Sequence, residues 1–179
     1  MKLVRIQTGG LYVSAEHALV RTVLGSCVAA CVFDQEAGVG GMNHFMLPGA
    51  CDPCSMPSRY GTHAMDELIS KILALGGKHA RLRAKLFGAA HVLRLEGNRI
   101  QVPYANAKFA REYLAEVHIP VVGHQLGGSR PLDVSFETHS GAARVRAFGW
   151  DSRNEVVRRE QAYAEALRDQ PPKSVVTVF

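Results

Sequence analysis

The sequence predicts an α+β fold: a mixed β-sheet sandwich with two main flanking helices and a charged C-terminal extension. Strand-like and helix-like segments mix without strict alternation, which favours a mixed sheet. The chain has 179 residues, 47% of them hydrophobic and 21% charged, so it can bury a core and is not disordered throughout. We predict a main domain over residues 1–149 and a helical extension with a short terminal segment over residues 150–179.

The first third of the chain is mostly strand-like. Short β-like segments at 1–6, 11–13 and 18–23 are separated by Gly9-Gly10 and ended by Gly25-Ser26. Residues 27–33 are small and apolar, and their periodicity fits a buried strand or the start of a helix equally well. A further strand is predicted at 39–47, ended by Pro48, and the proline-rich stretch 49–58 is predicted to be a loop.

The clearest helix pattern covers residues 62–75. Thr62 is a candidate N-cap, Gly76-Gly77 follows the last turn, and apolar residues recur at helical spacing: Met65, Leu68, Ile69, Ile72 and Leu73. A second helix is predicted at 106–117 and a charged third helix in the tail at 154–168. The remaining predicted strands are 83–87, 119–122 and the paired segments 132–136 and 143–148, with a β-like end at 175–179.

Charge and targeting signals limit the possible partners and compartments. The net charge is +5, and residues 71–99 contain seven Lys or Arg and one acid. A basic surface favours an acidic partner, such as nucleic acid, an anionic membrane or an acidic protein, although an ordinary solvated face fits equally well. The longest apolar run, 22–33, is too short to span a bilayer, and the N-terminus has no signal-peptide pattern. We therefore expect a cytoplasmic protein with reduced thiols and no membrane insertion.

A cysteine and a histidine form the strongest candidate for chemistry. Cys27 follows Gly25-Ser26 at a predicted turn, where backbone N–H groups can stabilise an oxyanion. His44 lies on a neighbouring predicted strand and can act as general base for the thiol. Taken alone, this pair is more often a buried cysteine and a hydrogen-bonded core histidine.

Two other arrangements compete with that pair. Cys51 and Cys54, together with Cys27 and Cys31, could form a zinc site, but no further pair of close cysteines lies downstream. A zinc-stabilised nucleic-acid-binding module is therefore one hypothesis for the function, separate from an enzyme that uses Cys27 and His44. Gly127-Gly128-Ser129-Arg130 lacks the lysine of a phosphate-binding loop, so no nucleotide cofactor is expected.

The blocks Thr22-Val-Leu-Gly-Ser-Cys27 and Gly41-Met-Asn-His-Phe-Met-Leu-Pro48 resemble the CheD family, the chemoreceptor glutamine deamidases of bacterial chemotaxis. Further similarity lies at 59–61, 84–88, 106–109 and 127–128, so the resemblance covers about residues 1–149. Two blocks depart from the family pattern: Gly88-Ala89-Ala90, where Gly-Gly-Ala is expected, and Pro103-Tyr104-Ala105-Asn106, where Gly-x-Arg-Asn is expected.

The resemblance implies a cytoplasmic cysteine hydrolase that converts receptor glutamines to glutamates without a cofactor. Cys27 matches the nucleophile, His44 the general base, and Thr22 is the nearest match to the threonine that completes the triad. We expect Gly25, Ser26 and Asn43 to help bind the oxyanion or the substrate. The site would contain no metal.

The implied partners are methyl-accepting chemotaxis receptors and, in some bacteria, a CheC-type phosphatase. Because receptor helices are rich in Glu and Gln, a basic surface favours binding to them. We therefore predict that docking involves Lys78, Arg81, Arg83 and Arg94. The alternative function is a non-catalytic adaptor of the same fold that binds receptors or a phosphatase.

Overall fold

The computed structural model describes residues 1–47, 58–92, 101–148 and 153–169. Nine strands and three α-helices occur in these ranges. The strands are β1 Lys2–Arg5, β2 Leu11–Ser14, β3 Ala18–Leu24, β4 Val28–Asp34, β5 Val39–Phe45, β6 Arg83–Gly88, β7 Val121–Leu126, β8 Leu132–Glu137 and β9 Ala143–Ala147. The helices are α1 Ser58–Ala74, α2 Gln101–Glu116 and α3 Arg153–Asp169, with a short 3₁₀ turn at His79–Arg81.

The strands form two mixed sheets, which confirms the predicted α+β sandwich. One sheet has the order β1-β3-β8-β9, with β1 parallel to β3 and the other pairs antiparallel. The other has the order β2-β5-β4-β6-β7, with β6 parallel to β7 and the other pairs antiparallel. The sequence pattern of residues 27–33 fits a strand or a helix. In the structure, residues 28–34 form β4, a central strand.

The five-stranded sheet lies between the other sheet and the helices α1 and α2, so its central strands are buried on both faces. Along β4, Val28, Ala30 and Val32 face a core shared with α1 and α2. The alternate residues Ala29, Cys31 and Phe33 face the four-stranded sheet. This two-sided burial explains why residues 28–34 are uniformly apolar until Asp34 and show no strand-like alternation in the sequence.

Both main helices begin earlier than predicted. α1 starts at Ser58, so the predicted N-cap Thr62 lies inside the helix. Position 61, inside the helix, requires a glycine, because a Cβ there would lie 2.3 Å from the Phe109 ring of α2. α2 starts at Gln101 because a proline in the first helical turn costs no intrahelical hydrogen bond, so Pro103 does not delay it.

The apolar stripe of α1 is confirmed for four of its five members. Met65, Leu68, Ile69 and Ile72 are buried against the five-stranded sheet, whereas Leu73 lies at the margin and is 37% exposed. Each buried side chain of this size contributes about 1.5–3 kcal/mol through removal from water. Within the described ranges, none of the helices combines the length and apolarity needed to span a bilayer.

Candidate active site

The turn between β3 and β4, residues Gly25–Cys27, is held from behind by three hydrogen bonds to its carbonyl groups. The Ala90 N–H donates to Gly25 O at 2.7 Å and the Ala89 N–H to Cys27 O at 2.7 Å. The Asn106 side chain donates to Ser26 O through Nδ2 at 2.8 Å. With all three carbonyls directed to one side, the N–H groups of the same residues are free to converge on the other.

The end of β6 packs directly against this turn. Gly88 has φ +111°, and a Cβ there would lie 2.2 Å from Cys27 O, so only glycine fits. Ala89 follows with φ 54°, a left-handed conformation that favours glycine. The alanine at the position where the family pattern has its second glycine therefore adopts the conformation that a glycine would adopt, and the turn is preserved.

His44 is held in one tautomer by Thr22. The Thr22 hydroxyl donates its only proton to Ile6 O at 2.9 Å. The 2.8 Å contact between Thr22 Oγ1 and His44 Nδ1 must therefore be donated by Nδ1–H. This assignment leaves Nε2 without a proton, as a general base requires.

Thr8 completes the surroundings of the imidazole and the thiol. Its hydroxyl lies 3.2 Å from His44 Nε2, the nitrogen that the tautomer leaves as an acceptor. It also forms a hydrogen bond with the Cys27 thiol. Thr8 thus contacts both members of the pair that the sequence analysis singled out.

His44 and Cys27 are brought near each other by two antiparallel neighbouring strands. β4 and β5 place His44 opposite Ala29, two residues after Cys27. Cys27 and His44 both lie between the sheets, with 0% and 2% of their surface exposed. The structure thus places His44 within 4.8 Å of Cys27 and 2.8 Å from Thr22 Oγ1.

A carboxylate from α3 fills the space in front of the turn. Glu160 Oε1 accepts from the N–H groups of Gly25, at 2.9 Å, and Cys27, at 3.2 Å. Its Oε2 accepts from the Ser26 N–H at 2.8 Å and from the Ser26 hydroxyl at 2.6 Å. The turn is thus an anion-binding site built from neutral donors.

Burial keeps both members of the pair neutral, and the Glu160 carboxylate adds to this effect at Cys27 but opposes it at His44. Burial raises the pKa of the Cys27 thiol well above its ordinary value, and the charge and hydrogen bond of Glu160 raise it further, while the hydrogen bond with Thr8 acts in the opposite direction. Burial lowers the pKa of His44 to about 4, and the nearby Glu160 charge opposes that change. With Glu160 in place, thiol and imidazole are both uncharged at neutral pH.

A cavity of about 420 Å³ leads to the site. Its walls come from β1 and the loop after it, from β3, His44 and Phe148, and from α3. They comprise Arg5, Ile6, Gln7, Thr8, Arg21, Thr22, Val23, His44, Phe148, Glu155, Val156, Arg159, Glu160 and Tyr163. The cavity therefore borders His44 and Glu160, and Glu160 lies between it and the turn.

Gly25 and Ser26 donate hydrogen bonds to the Glu160 carboxylate, whereas Asn43 does not contact it. Asn43 Oδ1 accepts from the Ala30 N–H at 3.1 Å, and its Nδ2 donates to Ala64 O at 3.0 Å. Adjacent strand residues face opposite sides of a sheet, so Asn43 faces the helices while His44 faces the site. The expected oxyanion role of Asn43 is therefore corrected to a structural one.

The three predicted docking residues within the described ranges lie at the end of the sheet far from Cys27. Arg83 pairs with Phe33, at the end of β4 opposite to Val28 and the catalytic turn. Measured along β4 at 3.3 Å per residue, the distance from Val28, beside the turn, to this end is about 17 Å. Lys78 and Arg83 are exposed, but Arg81 is bound to buried Asp34 and to Glu36. Burial acts to raise the pKa of Asp34, yet the Arg81 and backbone hydrogen bonds outweigh it and the pKa falls to about 2.

Two sets of predicted residues lie outside the described ranges. The first is Arg94, the fourth predicted docking residue. The second is the pair Cys51 and Cys54, on which the zinc hypothesis depends.

Cys27, His44 and Glu160 also have ligand types that a metal ion accepts. Their sulfur, nitrogen and oxygen atoms lie within 4.8 Å of one another. Both imidazole nitrogens and both carboxylate oxygens already have protein hydrogen-bond partners. Those bonds account for the cluster without an ion.

The sequence analysis missed three residues of the site: Thr8, Asn106 and Glu160. Thr8 precedes Gly9-Gly10, which was interpreted only as a break between strands, although the Gly9 N–H donates to His44 O at 2.7 Å. Asn106 belongs to the block with the family departure and lies within α2, not in a loop. Glu160 belongs to the tail, where a charged helix was predicted but no contact with the site.

Comparisons with known proteins identify the family of this chain. A family model described as "CheD chemotactic sensory transduction" matches residues 46–147. A probable chemoreceptor glutamine deamidase CheD from Halorhodospira halophila is 40% identical over 98% of this chain and 83% of its own length. Proteins of the same name from Saccharophagus degradans and Methylobacillus flagellatus are each 38% identical over 98% of this chain, covering 84% and 88% of their own lengths.

A solved structure of a Neisseria meningitidis protein of the DUF152 family is 10% identical, with a TM-score of 0.42 over 72% of this chain and 63% of that chain. That similarity is too low to support a conclusion. The sequence matches extend over nearly the whole chain, and the chain belongs to the CheD family.

Proposed function

We propose that this protein is a chemoreceptor glutamine deamidase, a protein-glutamine amidohydrolase with Cys27 as nucleophile. The observation that carries the proposal is the chain of hydrogen bonds from His44 Nδ1–H through Thr22 to Ile6 O, which leaves Nε2 as a base beside the thiol. The names and near-complete alignment of the relatives supply the substrate class. The intact site favours the enzyme over the non-catalytic adaptor.

The reaction proceeds by acyl transfer. His44 Nε2 takes the thiol proton, and Cys27 Sγ attacks the carboxamide carbon of a receptor glutamine. The resulting oxyanion is stabilised by N–H groups of the Gly25–Cys27 turn, with the Ser26 hydroxyl as a further donor. The protonated imidazole gives its proton to the departing ammonia. Water, activated by His44, then hydrolyses the thioester and leaves glutamate.

Thr22 is the positioning residue in this scheme. By accepting from Nδ1–H it fixes the ring orientation and stabilises the imidazolium that forms during attack, a role that a carboxylate or amide has in other triads. Thr8 contacts the opposite nitrogen and the thiol, so it orients the pair before substrate arrives.

The proposal is tested by incubating a receptor signalling-helix fragment with the enzyme and measuring intact peptide mass. We expect wild type to produce a gain of about 1 Da for each amide converted to acid. Cys27→Ala should produce none. Cys31→Ala is the matched control, because Cys31 is also a fully buried free cysteine but lies within β4 rather than at the turn. Conversion by the Cys27→Ala variant would refute the mechanism.

We further propose that the enzyme acts in the cytoplasm on methyl-accepting receptors, and that a CheC-type phosphatase is a second partner. The family membership supports both. Pull-down with a purified CheC-type phosphatase from the same organism, followed by mass measurement, tests the second partner. Absence of a complex at micromolar concentrations would remove it.

A further inference from the structure

The anion site of the turn is occupied by a residue of the same chain. Four donors converge on the Glu160 carboxylate: the N–H groups of Gly25, Ser26 and Cys27 and the Ser26 hydroxyl. Glu160 is 7% exposed, and among the described residues neither Lys nor Arg forms an ion pair with it. A buried carboxylate held by neutral donors alone is costly to bury unless the site is built for a negatively charged oxygen.

The chemistry of this occupant matches the end of the proposed reaction. Hydrolysis of a glutamine side chain leaves a glutamate whose carboxylate lies beside the nucleophile, in contact with the oxyanion donors. Glu160 has that side chain, in that place, presented from an α-helix. We infer that α3 is a built-in product analogue, which holds Glu160 in the side-chain subsite and must leave before a receptor helix can bind. This inference rests on the proposed function and adds regulation of the same site.

The face of α3 that meets the domain is narrow. Val156 and Tyr163 lie four residues before and three residues after Glu160, so all three share one side of the helix. Val156 is 9% exposed, and Tyr163 packs over Gly9, where a Cβ would lie 2.6 Å from the Tyr163 hydroxyl oxygen. Tyr163 and Ala164 add to the core between the sheets only as partly buried members. Such a small apolar contact permits release when a competing helix binds.

The occupant also lowers the reactivity of the nucleophile. Its charge and its hydrogen bond with the thiol both raise the pKa of Cys27, so the thiolate is disfavoured while α3 is docked. Departure of α3 removes that effect and opens the anion site in the same step. The docked state is therefore an inactive form of an intact active site.

The first test compares Glu160→Ala with wild type in the full-length protein. Two rates are measured: deamidation of a receptor helix fragment, and alkylation of Cys27 by iodoacetamide followed by peptide mapping. We expect both to rise by about tenfold, because the fraction of protein with an open site increases. Glu165→Ala is the matched control, since Glu165 is exposed on the same helix, and it should behave as wild type.

The second test uses Glu160→Gln, which keeps the shape of the side chain and turns the occupant into a substrate. His44 Nε2 would take the thiol proton, and Cys27 Sγ would bond to the side-chain carbonyl carbon of the introduced glutamine. The imidazolium would give that proton to the departing ammonia. Water, activated by His44, would then cleave the thioester, restoring the thiol and giving glutamate at position 160. We expect purified Glu160→Gln to gain about 1 Da, located by fragmentation at position 160 and not at the neighbouring Gln161. The Cys27→Ala, Glu160→Gln double variant should retain glutamine.

The outcomes separate this inference from the proposed function. If no variant deamidates the receptor fragment but Glu160→Ala accelerates Cys27 alkylation, the function fails and the occlusion by α3 stands. If the receptor fragment is deamidated but Glu160→Ala changes neither rate, the occlusion is refuted. If the Glu160→Gln variant converts the fragment while its introduced glutamine persists, the assignment of α3 as a product analogue is refuted.

Discussion

Thr22 and Thr8 hold the two nitrogens of His44 in chemically different ways. Thr22 has committed its proton to Ile6 O and can only accept from Nδ1, whereas Thr8 faces Nε2 and also the thiol. One threonine therefore sets the tautomer, and the other lies where the proton is transferred. Their different roles predict different results when each loses its hydroxyl.

We expect Thr22→Val to lower kcat by about tenfold to a hundredfold, because the isosteric valine cannot accept from Nδ1–H and the imidazole is no longer held as a base. The imidazolium also loses an acceptor, so the pKa of His44 should fall further and the acidic limb of the pH–rate profile should move to lower pH. Steady-state kinetics across pH on the receptor fragment checks both. An unchanged acidic limb would contradict the assigned tautomer.

At the same scale, the sequence could predict Cys27, His44 and Thr22 but not Thr8 or Glu160. The first three lie within two short blocks of distinctive residues. The Thr8 side chain meets His44 across 36 positions, and Glu160 meets Ser26 across 134. Such contacts depend on how the sheets and α3 pack, which no local pattern encodes. Asn43 was misassigned because its neighbour His44 faces the site and strand residues alternate.

Among the elements, α2 connects two parts of the site that are distant in sequence. Asn106 donates through Nδ2 to Ser26 O and accepts through Oδ1 from the Leu47 N–H at 2.8 Å. It is fully buried, so neither group has water as a replacement partner. The helix thereby fixes the catalytic turn relative to the end of the segment that carries His44.

Asn106→Asp should disturb the turn selectively. The aspartate keeps an acceptor for Leu47 N–H but faces Ser26 O with an oxygen instead of a donor. We expect a loss of about 1–3 kcal/mol in the free energy of unfolding and a reduced kcat at temperatures where the variant is still folded. Lys108→Ala is the control, because Lys108 is exposed on the same helix. Denaturant titration and the deamidation assay are the measurements. Equal activity of both variants would contradict the role of Asn106 in holding the turn.

Element types were more predictable than their ends. The apolar stripes predict α1 and α2, but both helices begin before the predicted starts at residues 62 and 106. In the structure Gly61 permits close contact with Phe109, and Pro103 occupies a first turn that needs no N–H. The division of the chain at residues 149 and 150 stays a prediction, although α3 returns to the domain through Glu160.

At the scale of the whole molecule, two sets of described basic residues bear on docking: one lines the cavity and the other lies at the far end of β4 and β6. Arg5 and Arg21 line the cavity, whereas Arg83 lies about 17 Å from the catalytic turn, measured along the strand at 3.3 Å per residue. Lys78 lies at the same end as Arg83, where its N–H donates to Asp34. The group at the cavity is therefore the better placed to guide an acidic receptor helix to Cys27. Sequence alone could not show this, because the dense basic stretch lies in a different segment.

We expect Arg5→Glu to lower kcat/KM for the receptor fragment several-fold at low salt and Lys78→Glu to lower it less. Both side chains are exposed, so the folded state should be unaffected. The difference should shrink at 1 M salt, where the screening length is about 3 Å. Kinetics at a series of salt concentrations measures this. A larger effect of Lys78→Glu would indicate that the docking surface is instead formed by the residues at the far end of β4 and β6.

The pairing of β3 with β8 has a consequence for the order in which the protein folds. Leu24, the residue before the catalytic turn, pairs with Leu132, so this ladder closes a loop of more than one hundred residues. Closing such loops is slow because the chain entropy is lost before the contacts form. During synthesis β3 has no partner on its β8 side until residue 137 has emerged from the ribosome. The cysteine turn therefore takes its final form late, when nearly the entire chain is already present.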